Sequence, residues 1–169
     1  MEAIINKVAE SGIVTLDLTH YLPDEAQISS FDLKPFLFRE MILREKDYRE
    51  ALKQQDWEVF DNKHVYIHCS ADAIIPMWAN MLAASYLQPV AKSVYYGSKD
   101  ALSDHLLLQN LAQVDISEYA EKRVVIKGCG DVSVPEQAYV TITAMLQPVV
   151  KSVMYGEPCS TVPVYKKKN

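Results

Sequence analysis

Leu87-Gln88-Pro89-Val90-Ala91-Lys92-Ser93-Val94-Tyr95-Tyr96-Gly97 returns as Leu146-Gln147-Pro148-Val149-Val150-Lys151-Ser152-Val153-Met154-Tyr155-Gly156, at a constant offset of 59 residues (156 − 97). The correspondence reaches upstream. Pro76 and Ala79 match Pro135 and Ala138, and Val65, Ile67 and Asp72 match Val124, Ile126 and Asp131. Each copy reads as a short apolar run, a turn, a helix-length stretch opening with Pro, and a second apolar run ended by Gly. That pattern is a strand-helix-strand unit, here spanning residues 64–98 and 123–157. Strands alternating with helices imply right-handed crossovers and a largely parallel sheet.

The expected fold is therefore α/β: a single domain, residues 1–169, whose mostly parallel doubly wound sheet is built from two tandem βαβ repeats. In that plan the first strands of the halves, 65–68 and 124–128, lie side by side at the centre, and ligands bind where the strand order reverses. Residues 1–62 form an N-terminal α+β extension. Within it, 12–18 alternates apolar and polar side chains as a half-buried strand does, and 26–33 is a second strand. Asp32 and Pro35 mark the start of a helix carrying Leu37 and Met41, with Phe38 and Ile42, one turn apart. The charged stretch 44–56 is a surface helix with a buried stripe at Tyr48 and Leu52. A helix over 100–113 links the repeats, and residues 158–169 form a C-terminal loop and edge strand.

Composition narrows the function classes. A chain of 169 residues with 49% hydrophobic and 23% charged side chains has a core-forming, water-soluble balance, which argues against a disordered or fibrous protein. The start Met1-Glu2-Ala3-Ile4-Ile5-Asn6-Lys7 lacks a signal-peptide pattern, and no stretch approaches the roughly 20 apolar residues that span a bilayer. The expected location is cytoplasmic, with no membrane partner. A net charge of −5 opposes phosphate-backbone binding, so no nucleic-acid partner is expected, and Lys166-Lys167-Lys168 reads as a solvated tail.

Three cysteines carry the candidate chemistry. Cys69, Cys129 and Cys159 each follow a strand-like run, and an odd count in a cytoplasmic chain argues against structural disulfides. In the repeat register Cys69 matches Gly128, and Cys129 matches Ser70. Across a pseudo-twofold axis parallel to the strands, that one-residue slip would bring Cys69 and Cys129 to one side of the sheet rim. The stiff loop around Pro158 and Pro163 would fold Cys159 over the same edge. With His68, Asp72, Asp131 or Glu157 completing the set, three thiolates suit zinc or part of an iron-sulfur centre. A single reactive thiol and plain burial remain open beside metal binding. Asp72 and Asp131 equally suit turns into their helices. His68 points away from Cys69 because adjacent strand residues face opposite sides.

Other motifs stop short. Ser103-Asp104-His105 is contiguous on a helix and forms no triad by itself, Gly128-Cys129-Gly130 is no dinucleotide fingerprint, and no phosphate loop occurs. Nothing here decides whether the chain is an enzyme.

Cys69-Ser70-Ala71-Asp72-Ala73-Ile74-Ile75-Pro76, Val125-Ile126-Lys127-Gly128-Cys129 and Lys151-Ser152-Val153-Met154-Tyr155-Gly156-Glu157-Pro158-Cys159-Ser160-Thr161-Val162-Pro163 resemble the bacterial domain-of-unknown-function family 2480 over nearly the whole chain. The resemblance implies a small cytoplasmic bacterial protein, with iron-sulfur assembly proteins as candidate partners, and it carries no catalytic role. Two expectations follow: a metal-binding protein, zinc or iron-sulfur related, or a non-catalytic α/β binding or interaction module, including a homo-oligomer, whose cysteines are structural.

Overall fold

The strand β5 (His64–His68) places apolar side chains at every second position, so Val65 and Ile67 are buried while His64, Tyr66 and His68 stay half-buried on the opposite face. Its two edges are both paired in parallel, one with β2 (Ile28–Asp32) and the other with β6 (Ser93–Tyr96), giving the sheet order β2-β5-β6. Residues 12–128, 132–157 and 159–168 are described by a computed structural model. It is a mixed α/β chain dividing into two units, one formed by Pro23–Ser103 and the other by residues 1–22 with 104–169.

In the unit Pro23–Ser103 the helix α1 (Glu45–Gln54) buries Tyr48 and Leu52, one turn apart. The crossover helix α2 (Met77–Leu87) follows Pro76 and buries Ala79, Ala83 and Leu87 along one face. Tyr48 is fully buried, and its hydroxyl donates to the Ala79 carbonyl at 3.1 Å. Phe31, Phe36, Trp57, Phe60 and Tyr86 extend this core as contacting rings, with Trp57 stacked on Tyr86 at 5.1 Å between centroids.

The second unit is built on a sheet of its own. Its sheet order is β1-β7-β8-β9, from β1 (Ile13–Asp17), β7 (Arg123–Lys127), β8 (Ser152–Glu157) and β9 (Ser160–Lys166). The first three are parallel and β9 is antiparallel. The helix α3 (Lys99–Leu111) lies between β1 and β7 in the chain, and α4 (Glu136–Leu146) joins β7 to β8. α4 buries Ala138, Ile142 and Leu146, the 59-residue counterparts of Ala79, Ala83 and Leu87. The pairings correspond too, with His64 beside Ser93 and Arg123 beside Ser152.

The single doubly wound sheet does not form. Both edges of β5 are taken, by β2 and β6, and both edges of β7, by β1 and β8, so the expected central pair 65–68 and 124–128 has no edge left to share. The segment assigned to an N-terminal extension instead supplies one strand to each sheet. Within each sheet the order steps in one direction only, so there is no reversal point and no crevice of the expected kind. The helix expected after Asp32 is also absent. Lys34–Phe36 is one 3₁₀ turn, followed by a hairpin of β3 (Leu37–Phe38) and β4 (Ile42–Leu43). Arg39 and Glu40 adopt positive φ at its tip; of the two apolar pairs that mimic a helical period, Phe38 and Ile42 are cross-strand neighbours, whereas Leu37 faces Leu43 and Met41 is exposed.

Candidate functional site

The carboxyl-terminal ends of β1 and β2 each carry an aspartate. Asp32 ends β2 beside His68, and its carboxylate accepts the Lys34 amide (2.9 Å), the Ser70 amide (3.0 Å) and the Ser70 hydroxyl (2.5 Å). Burial alone would raise the Asp32 pKa, but the Ser70 and Lys34 hydrogen bonds and the neighbouring His68 outweigh it and hold the carboxyl below its ordinary range. This aspartate ties the loop after β5 to the end of β2.

A group depressed in the folded state stabilises the fold above its unfolded pKa, about 4 for Asp, and that contribution disappears as pH falls through the folded value. Asp32→Asn should therefore lower stability at pH 7 by about 1 kcal/mol and flatten its decline below pH ~4 relative to wild type. Urea denaturation between pH 3 and 7 measures both effects, and parallel wild-type and variant curves would refute this role.

In the other unit Asp17 sits in the matching place. Its carboxylate accepts the Thr19 hydroxyl (2.7 Å) and amide (3.0 Å), and Lys127 lies 3.5 Å away. The Thr19 hydroxyl is the main cause of its lowered pKa, with Lys127 adding to it. Lys127 also faces Glu157 at 3.5 Å, so one ammonium serves two carboxylates. Glu157 and then Asp17 hold that ammonium in its charged form.

The expected ligand residues fall as follows. His68 is half-buried, with its ring centroid 5.1 Å from that of Tyr66. Cys69 is half-buried and packs against the core of Pro23–Ser103. Asp72 is exposed between β5 and α2. Cys159 is exposed between β8 and β9 in the other unit, and Glu157 ends β8 opposite Ser160, facing Lys127. Cys129 and Asp131 lie outside the described residues. Among the described residues, no group of three or more His, Cys, Asp and Glu side chains is arranged to hold a metal ion. The counterpart of Cys69 is Gly128, where an added β-carbon would collide with the Tyr139 hydroxyl.

A different cluster does converge. Arg123, Ser152 and Lys166 stand in register across β7, β8 and β9, so their side chains leave the same face of the sheet. With Lys151, Met154, Pro163 and Tyr165 they line a cavity of about 470 Å³. Lys167 continues the strand by donating its amide to the Lys151 carbonyl (3.0 Å) and pairs with Glu121. Of the run read as a solvated tail, all three lysines are exposed, but Lys166 ends β9 and lines this cavity. Sequence reasoning missed it because the cations are scattered through the chain. The available signal was Lys166 at the end of a strand-like run rather than beyond it. An apolar groove of about 510 Å³ lies along α4, lined by Val140, Thr143, Gln147, Tyr155 and Val164 among others.

A family model described as "Protein of unknown function (DUF2480)" matches residues 2–167. The chain belongs to this family. No curated protein and no solved structure matches this DUF2480 chain. Among its described residues, no helix is long and apolar enough to cross a membrane.

Proposed function

We propose that the chain is a non-catalytic α/β binding module that takes a small polyanion, a phosphorylated or polycarboxylate molecule, in the cavity between Arg123, Lys151 and Lys166. One observation carries this reading: three cations surround a single concavity in a chain of net charge −5. An arginine offers a planar fork to a phosphate or carboxylate, and two lysines supply point charges around it. The Ser152 hydroxyl adds a neutral partner in the same row. Glu121, the nearby carboxylate, is held charged first by Lys167 and also by Lys151, so Lys167 neutralises the group that would otherwise oppose an anion. Met154 and Pro163 give the cavity an apolar part that would contact a carbon skeleton. We further read the two strand-helix-strand segments as copies of one ancestral fragment, of which only the second acquired this site.

Titration with pyrophosphate by calorimetry at low ionic strength tests the reading. Binding should weaken about tenfold in Arg123→Gln and again in Lys166→Gln, as expected for charge-assisted hydrogen bonds of roughly 1.5 kcal/mol. It should also weaken with added salt. The thiolate reading, through Cys69, Cys129 and Cys159, is the rival. If no anion binds, and the purified protein instead carries a stoichiometric metal that Cys69→Ser loses, function passes to the cysteines.

A further inference from the structure

We infer that the open edge of β6 is a dimerisation surface, where two copies of this chain join their Pro23–Ser103 sheets through antiparallel pairing of β6 with β6. β5 occupies one edge of β6, and among the described residues no strand pairs with the other. The Ser93 and Gly97 amides donate to the Lys63 and Ile67 carbonyls on the β5 side. Because successive residues of a strand point their N–H and C=O groups to alternate sides, Val94 and Tyr96 present theirs outward.

The chain itself shows how such an edge is filled. The counterparts of Val94 and Tyr96, 59 residues on, are Val153 and Tyr155, and these face Tyr165 and Val162 of the antiparallel strand β9. Val164 of β9 also lines the groove beside Val140, the counterpart of Met81. The first unit carries no strand in that position, and its equivalent surface is exposed: Tyr96 67%, Met81 71% and Met77 79%. Met77, Met81, Ala84 and Gln88 form one stripe of α2, and Ala84 and Gln88 line a groove with Ser93 and Val94.

The occupant is a second copy because β6 is complementary to itself. An antiparallel pair centred on Tyr95 sets Val94 opposite the second copy's Tyr96, and the reverse, so all outward N–H and C=O groups of both residues are satisfied. Ser93 through Gly97 is uncharged, so no like charges oppose each other in this register. The segment lacks the lysine, proline or bulge that normally guards an edge, whereas β9, the strand that fills the corresponding edge in the other sheet, has Pro163, Lys166 and a register shift. Covering roughly 150 Å² at each of Tyr96, Met81 and Met77 in two copies removes about 900 Å² from water. The paired backbones bring the total near the ~1,000 Å² that a specific interface requires.

Light scattering coupled to gel filtration should give twice the 19.1 kDa chain mass for wild type. Tyr96→Pro removes one outward N–H at an edge position where proline is tolerated, and should elute as a monomer with unchanged circular dichroism. Tyr95→Cys should form an interchain 95–95 disulfide, identified by peptide mass spectrometry, because a non-hydrogen-bonded antiparallel pair holds its Cα atoms about 4.5 Å apart. A monomeric wild type would overturn the inference and leave the edge to a different protein's strand. A dimer that survives in folded Tyr96→Pro would also overturn it. If that variant does not fold, the Tyr95→Cys cross-link decides: its presence upholds the β6 pairing and its absence sinks it.

Discussion

Replacing Tyr48 by Ala should cost about 4 kcal/mol, a large share of the 5–15 kcal/mol that holds a typical protein folded. Tyr48 is fully buried against α2, and its ring meets Phe36 edge-on at 5.3 Å and Trp78 at 6.1 Å. Of the three buried residues of the facing helix, Ala79, Ala83 and Leu87, the two nearest the Tyr48 hydroxyl end are alanines, whose short side chains cannot extend into the vacated space. In the other unit the place of Ala83 is taken by Ile142, a larger side chain on the corresponding helix face. Tyr48→Phe keeps the ring and loses only the hydrogen bond to the Ala79 carbonyl, so its cost should be about 1 kcal/mol. Both tryptophans, Trp57 and Trp78, lie in Pro23–Ser103, so their fluorescence in a urea titration follows this unit directly. Equal losses for the two variants would mean that the hydroxyl, rather than the ring, anchors α1.

The sequence repeat pointed to parallel strands with helices between them through its apolar spacing: Val65 and Ile67 in β5 are buried as alternation requires, whereas β7 buries Val124, Val125 and Ile126 together. It could not reveal which strands share a sheet. Pairing between distant segments is decided by which edges are free, and the deciding strands lie outside the repeat. Their signal was nonetheless present: Ile13-Val14-Thr15-Leu16-Asp17-Leu18 and Ile28-Ser29-Ser30-Phe31-Asp32-Leu33 share an Ile, an apolar residue, Asp and Leu at the same spacing. Each Asp then ends its strand and accepts the amide two residues on. The helix expected after Asp32 failed because four-residue spacing of apolar side chains also arises when a short hairpin brings Phe38 opposite Ile42. The cysteines drew attention by residue type, while the basic cavity depends on strand register, which joins Arg123, Ser152 and Lys166 across more than 40 residues of sequence.

Gly156→Ala should be the most damaging single change to the unit that contains the basic cavity. Gly156 has φ +118°, a conformation costly for any residue with a β-carbon, and an alanine there would place its Cβ 2.6 Å from the Ser160 backbone carbonyl oxygen. A clash with backbone cannot be relieved by turning a side chain, so β9 must move away from β8. The combined strain and lost pairing should cost about 3 kcal/mol or more. Gly97, its counterpart, also has positive φ, but there the nearest atom is the Tyr95 ring at 3.2 Å, so Gly97→Ala should cost less. Amide hydrogen exchange at Val153 and Tyr155 should accelerate in Gly156→Ala and stay near wild type in Gly97→Ala. The same variant separates fold from function. β9 carries Lys166, Tyr165 and Pro163, so its displacement should remove pyrophosphate binding while Arg123 and Lys151 remain in the chain. Unprotected β8 amides together with wild-type pyrophosphate affinity would show that the anion binds somewhere other than the face shared by β7, β8 and β9.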